Sequence, residues 1–332
     1  MSIKIKNAFN LKNVLFIDLR TKTEYNESHI KNALNYPILN FDEREIVSKL
    51  YKNKKINKAY EMAYDYSLSK LTGLMEIIKN TNKKIIFYCF KGRSRSQIVY
   101  NVFKSLKGKE INYLKGGYKS YRNLVNNFYQ NDLDKFNFIT LHGYSGSGKT
   151  HFLKHVSNEN PVINFADIAK NTGSYFGDII YSSSNVSQKR FEDIIFNKLY
   201  FSKEKKFYLE SESKRIGNIF IRDDLFNAMY NGKHYLIKSN LNQRAKRIYK
   251  DYIERNDKFS KKIIIDKLNY FTKKFGNKKI EYLKKSIYKD EYMEVIKFLL
   301  NNYYDPLYKK SIEKYKPYDK VINRRDLCNI LK

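Results

Sequence analysis

The chain opens with a short apolar run ending in charge, NVLFIDLR (Asn13 to Arg20), and repeats the pattern in KKIIFYCF (Lys83 to Phe90). Unbroken apolar character over so few residues predicts parallel strands covered on both faces, because such strands have no solvent-facing alternate positions. Helical spacing fills the intervals, as in Leu68 to Lys79 and Ser96 to Leu106. Strands alternating with helices predict an α/β domain over residues 1–130, and the polar stretch Asn126 to Asn137 reads as a linker. A second alternation runs through FNFITLHG (Phe136 to Gly143), NPVINF and KKFYLE (Lys205 to Glu210), predicting another α/β domain over 136–240. From about Leu241 apolar residues recur at three and four, as in YMEVIKFLLNNYY, so 241–332 is expected to be a helical extension. No internal repeat or low-complexity tract interrupts this order.

A chain of 332 residues exceeds what one core usually supports, which agrees with two domains. Its hydrophobic fraction of 42% and aromatic fraction of 16% are those of a folded protein. Charge changes the picture more: 65 Lys and Arg stand against 34 Asp and Glu, a net +31. Codon bias enriches lysine but does not remove acids, and so large a surplus repels itself unless a polyanion is near, which points to nucleic acid. No window offers the ~20 uncharged apolar residues of a membrane span, and the N-terminus lacks a signal peptide's apolar core, so a cytoplasmic, membrane-free protein is expected. Only Cys89 and Cys328 occur, too few for a disulfide framework.

Cys89 stands at the end of a predicted strand, followed by FKGRSRS and then a helix near Ser96. Amides of such a loop, with Lys91, Arg93, Arg95 and the helix N-terminus, make an anion site. The same positive field favours the thiolate, so Cys89 is expected to be a nucleophile. Five residues separate Cys89 from Arg95, room for a tetrahedral oxyanion such as phosphate; phosphatases with a Cys-x5-Arg loop share this spacing.

Gly143-Tyr-Ser-Gly-Ser-Gly-Lys-Thr150 fits G-x-x-x-x-G-K-[ST] between the strand FITLH and the helical FLKHV. Amides around Gly143, Ser145, Gly146, Ser147 and Gly148 can cradle phosphates, with Lys149 as a point charge on the outer one. Thr150 can ligate Mg²⁺, joined by Glu210 from the end of the later strand, with Glu212 a second candidate. No other cofactor is expected.

The strand, cysteine and basic loop resemble the active site of rhodaneses, as does FIDLRTKTEYNESHIKNALNYP, in which Asp18, Arg20 and His29 read as scaffold. A rhodanese-like domain followed by a P-loop resembles the tRNA 2-selenouridine synthase family over nearly the whole chain. FDEREIVSKLYK, CFKGRSRS, LKGGYKSYR, GYSGSGKT, TGSYFG (Thr172 to Gly177), SQKRFE, ESESKRIG and YYDPLYKKS carry the likeness. The chain departs from the family at Phe90, Lys91 and Arg93, where Trp, Arg and a second Gly are usual. It departs again at Asn164, Ala166, Asn171 and Thr172, in place of an acidic, His-Arg-containing stretch.

The resemblance implies replacement of sulfur by selenium in wobble 2-thiouridine of tRNA, through a geranylated intermediate. Cys89 would take part in delivering selenium, and Lys91, Gly92, Arg93, Ser94, Arg95 and Ser96 would bind selenophosphate. Because a P-loop cradles two linked phosphates whatever they are attached to, geranyl diphosphate is the occupant expected at Gly143 to Thr150, with a nucleotide left open. The tRNA would contact the helical tail, where KRIYKDYIERNDKFSKK and YFTKKFGNKK mix lysine with aromatics. In YYDPLY, Asp305-Pro306 reads as a helix end with its aromatics packed onto the core. Two other classes stay open: a P-loop phosphotransferase with a regulatory or dephosphorylating cysteine loop, and a non-catalytic tRNA-binding protein.

Overall fold

The structure, a computed structural model, describes residues 1–171, 175–177, 186–255 and 260–323. Thr172, Gly173, Ser174 and Cys328 lie outside the described residues. The chain divides into two compact units, residues 1–132 with 187–197, and residues 133–186 with 198–332.

In the first unit a parallel sheet runs in the order β1-β5-β4-β2-β3. Its strands are β1 (Ser2–Ile3), β2 (Val14–Asp18), β3 (Leu34–Asn35), β4 (Lys84–Tyr88) and β5 (Ile111–Leu114). The two apolar runs became the adjacent strands β2 and β4, both largely buried as their composition requires. Helices α1 (Ile5–Asn10), α2 (Lys22–Glu27), α3 (Phe41–Lys52), α4 (Ile56–Lys79), α5 (Ser94–Phe103) and α6 (Gly117–Asn131) accompany the sheet. Thr21 with Glu24 and Asn40 with Glu43 form capping boxes that fix the starts of α2 and α3. Leu74, Ile78, Ile98, Val99 and Phe103 share one core cluster with Ile17, Ile85 and Phe87.

The expected linker is instead the end of α6 and a short 3-10 turn, Leu133–Lys135. Its asparagines hide an apolar face: Tyr121, Leu124, Val125, Phe128 and Tyr129 are buried at helical spacing.

The second unit has a parallel sheet ordered β12-β11-β6-β8-β7. Its strands are β6 (Asn137–His142), β7 (Val162–Ile163), β8 (Lys206–Glu210), β11 (Lys233–Ile237) and β12 (Lys320–Ile322), with β9 (Arg215–Ile216) and β10 (Ile219–Phe220) as a separate antiparallel pair. Helices α7 (Lys149–Val156), α8 (Phe165–Ala169), α10 (Asp223–Tyr230) and α11 (Leu241–Tyr249) accompany them, while α9 (Gln188–Tyr200) belongs to the first unit as far as Asn197.

The tail is helical, as expected, and packs as part of the second unit. Helices α12 (Lys261–Leu268), α13 (Thr272–Phe275), α14 (Asn277–Tyr288), α15 (Tyr292–Leu299) and α16 (Asp305–Lys314) belong to the second unit, and β12 returns to pair with β11. Leu268, Phe271, Ile280, Leu283, Ile287, Val295 and Leu299 form their shared core.

Asp305-Pro306 does not end a helix. A π-helical turn, Leu300–Tyr304, joins α15 to α16, and Pro306 sits in the first turn of α16. Proline removes a backbone donor and crowds the preceding turn, and a wider turn just before it accommodates both. Tyr303 and Tyr304 pack onto the tail core, as their composition suggested.

Candidate active site

In the first unit, the strand β4 delivers Cys89 to the carboxyl edge of the sheet, where only 4% of it is exposed. The loop behind it is clamped by the start of α6. Tyr118 N donates to Cys89 O at 2.9 Å and Lys119 N to Phe90 O at 2.9 Å. A Cβ on Gly117 would lie 2.2 Å from Cys89 O and 2.4 Å from Gly92 N, so Gly117, the second glycine of LKGGYKSYR, is what allows this approach.

Among the described residues, none of the amides from Phe90 to Arg95 donates to a backbone carbonyl, and the buried Ser96 Oγ has no partner. Together with the N-terminus of α5, these donors suit an oxyanion. Lys91 and Arg93 are exposed. Arg95 is already engaged: its guanidinium lies 3.2 Å from Glu24, the capping carboxylate of α2. Burial pushes the Glu24 carboxyl up, but Arg95, the Thr21 amide and Arg44 outweigh it and hold Glu24 below its ordinary value.

Asp18, Arg20 and His29 are scaffold. Arg20 is buried, pairs with Asp18 at 2.6 Å, donates to Ser28 O at 2.7 Å, and lies over the Tyr118 ring at 3.8 Å. His29 stacks on Tyr25 and hydrogen-bonds its carbonyl. The segment Ser187–Asn197, from SQKRFE onward, also serves this unit. Arg122 reaches both Glu192 and Asp193, Ser28 donates to Asp193, and Tyr129 donates to Glu192 O at 2.9 Å.

In the second unit, β6 leads through Gly143 to Gly148 into α7. Lys149 Nζ donates to Gly143 O at 2.9 Å and lies 3.6 Å from Glu210. Thr150 Oγ1 donates to Glu210 at 3.2 Å, so the two residues expected to hold Mg²⁺ are side by side. The hard oxygen donors and their proximity fit a cation that takes its remaining ligands from phosphate and water. The Glu212 carboxyl is pushed well above its usual range by burial and by Glu210. Among the described residues no cluster of three His, Cys, Asp or Glu could hold a metal by itself.

Sequence reasoning missed the residues behind this loop. Arg247, on α11, donates to Gly146 O, Ser147 O and Ser239 Oγ, each at 3.0 Å. Arg244, one turn earlier, makes a bidentate pair with Asp305 at 2.7 Å and lies over Tyr144. Holding Arg244 is therefore what Asp305, the aspartate of YYDPLY, does in this structure. No local pattern distinguishes these arginines from other lysines and arginines on basic helices.

A cavity of about 690 Å³ starts at Ser145 to Thr150 and passes Glu210, Glu212 and Arg247. It continues into the tail, where Ile264, Ile287, Val295, Ile296, Leu299 and Leu300 line it. Both π-helical turns contribute, Lys250–Glu254 through Asp251, Tyr252 and Ile253, and Leu300–Tyr304 through Leu300 and Tyr304. Asn164 and Ala166, two of the departures, also line it, whereas Asn171 lies against Gly217.

The tail's basic-aromatic character is partly spent on its own packing: Lys274 lies over Tyr303 at 4.8 Å and Lys279 over Phe298 at 4.6 Å. Tyr270, Tyr282 and Tyr288 remain exposed.

No described helix is long and apolar enough to cross a membrane. A tRNA 2-selenouridine synthase from Nitrosomonas europaea is 28% identical over 250 residues, 71% of this chain and 63% of that protein. One from a Sulfurovum species is 26% identical over 92% of this chain and 90% of its own length. The Bdellovibrio bacteriovorus synthase is 28% identical over 75% of this chain and 67% of its own. Residues 3–124 match the rhodanese-like domain family. Since residues 136–330, more than half of the chain, match the tRNA 2-selenouridine synthase AAA domain, the chain belongs to the tRNA 2-selenouridine synthase family.

Proposed function

We propose that this chain exchanges sulfur for selenium in the 2-thiouridine of tRNA, using the second unit to geranylate the sulfur and the first to bring selenium to the base. The observation that carries the reading is the phosphate cradle that opens into an apolar chamber. Beyond the loop the far wall is built of Ile264, Ile287, Val295, Ile296, Leu299 and Leu300, which offer a ribose and base no hydrogen bonds, while Tyr252, Tyr292 and Tyr304 add rings with polar tips to the same chamber. A prenyl diphosphate matches both ends, and each methylene-sized group buried adds about 0.8 kcal/mol.

In the first step the thiouridine sulfur attacks the first carbon of the geranyl chain, the carbon–oxygen bond breaks, and diphosphate leaves. Lys149 and the loop amides stabilise the charge that gathers on it. Thr150 and Glu210 would hold a Mg²⁺, which neutralises diphosphate charge when bound. In the second step selenium forms a bond to the base carbon and geranyl thiol departs. The phosphorus–selenium bond of selenophosphate breaks to water, releasing phosphate. Cys89 takes part in delivering the selenium, and Lys91, Arg93 and Arg95 bind the phosphate end.

The tRNA is held through its phosphates by a chain of net charge +31, with the exposed tyrosines of the tail available to bases. Nucleoside mass spectrometry of tRNA treated with the Lys149→Ala variant tests the diphosphate assignment. Loss of the geranylated nucleoside with 2-thiouridine persisting is expected; normal geranyl transfer would sink it.

A further inference from the structure

Helices α3 and α4 form a hairpin in the first unit whose two faces differ. Val47, Ala59, Ala63, Leu74 and Ile78 turn into the core. On the other side Ile56, Tyr60, Tyr64 and Leu68 recur every four residues, 58, 38, 44 and 45% exposed. Single exposed hydrophobic residues are ordinary, but four in line on one helix face form a continuous stripe.

The turn of the hairpin adds charge to the stripe. From Lys49 to Tyr60 there are five lysines and no carboxylate, and all five lysines are exposed. Lys49 pairs with Glu45, while Lys52, Lys54, Lys55 and Lys58 make no ion pair among the described residues. The next carboxylates, Glu61 and Asp65, lie along α4 beyond the turn. Aromatic rings beside uncompensated lysines are what RNA with unpaired bases binds: the amines take phosphates and the rings take base faces.

We propose that the α3–α4 hairpin is an RNA-binding surface of the first unit, with Lys52, Lys54, Lys55 and Lys58 on phosphates and Tyr60 and Tyr64 stacked on bases of an unpaired tRNA loop. The identity of the RNA rests on the function proposed above; the surface itself does not. A second copy of the chain fits this face poorly, because two bodies of net charge +31 would add like charge to like.

The test is equilibrium binding of the full chain to a tRNA transcript over a range of salt. Replacing the four lysines by Ala is expected to flatten the slope of log affinity against log salt by roughly 3, at about 0.7 to 0.9 per phosphate contact. Tyr60→Ala with Tyr64→Ala is expected to weaken binding about tenfold or more at an unchanged slope, and Tyr60→Phe with Tyr64→Phe to restore it. All these positions are exposed, so thermal unfolding should not move.

Wild-type affinity and slope in both the lysine and the tyrosine-to-alanine variants would overturn the proposal. So would a wild-type dimer that the tyrosine-to-alanine pair dissociates while tRNA affinity holds. A wild-type chain that binds no tRNA removes both this surface and the proposed function. Hairpin-dependent binding without selenium in the tRNA nucleosides supports the surface and removes only the reaction.

Discussion

The chain uses one local design twice, a parallel strand that ends in a glycine-containing basic loop and enters a helix, and the two copies treat their cations in opposite ways. In the phosphate loop Lys149 is buried, bound to Gly143 O, near Glu210, and beside a chamber of about 690 Å³. In the cysteine loop Lys91 and Arg93 face solvent, Arg95 is tied to Glu24, and the thiol is the buried group. An inward cation beside a cavity suits a small ligand that is enclosed. Outward cations around a recessed thiol leave the loop open to an anion that arrives from solvent, as the selenophosphate proposed above would.

The largest effect that separates the loops is expected from Cys89→Ala. It should abolish selenation in nucleoside mass spectrometry while the geranylated nucleoside accumulates, whereas Lys149→Ala should stop the sequence earlier, at 2-thiouridine; loss of both products in Cys89→Ala would merge the two sites into one. Next is Arg122→Ala, which leaves the carboxylates of Glu192 and Asp193 buried without their cation. Breaking such a group is expected to cost about 3–5 kcal/mol. The first unit should melt earlier in calorimetry and the second should keep its transition, so equal loss from both would contradict the division.

A smaller effect is expected from Ile296→Trp, which narrows the apolar chamber. KM for geranyl diphosphate should rise about tenfold, as loss of one or two buried apolar groups implies, while affinity for inorganic diphosphate stays unchanged. Smallest is Glu24→Gln, which frees Arg95 and weakens the cap of α2 at a cost of about 1 kcal/mol. Because Glu24 is held below its unfolded value of 4.5, its contribution is complete above that pH and is lost as pH falls through the folded value. Wild type and variant should therefore differ in thermal stability at neutral pH and converge in acid.

The strands β2, β4, β6, β7 and β8 and both loops were legible because each rests on a local signal, whereas β1, β3, β5, β11 and β12 are too short or too polar to stand out, and β12 falls in the stretch expected to be helical. Val14 to Asp18 and Lys84 to Tyr88 are continuous apolar runs, and the P-loop glycines have fixed spacing. The end of α6 was not legible, since Asn126, Asn127, Gln130 and Asn131 outweigh Phe128 and Tyr129 in any linear reading. Nor was Arg247, whose role comes from tertiary placement against Gly146 and Ser147. Pro306 misled because the rule that proline ends helices assumes an α-helical turn before it, and here that turn is π. The chamber was invisible because its walls come from helices whose apolar residues look like any amphipathic face.

Residues 187–197 belong with the first unit although the polypeptide on either side of them belongs to the second. No single cut in the polypeptide therefore yields two whole parts: a break after residue 132 leaves Arg122 without its acidic partners and strands those acids on the other fragment. Shuffling either half onto a new neighbour would carry the same penalty, so the two units are inherited as one piece.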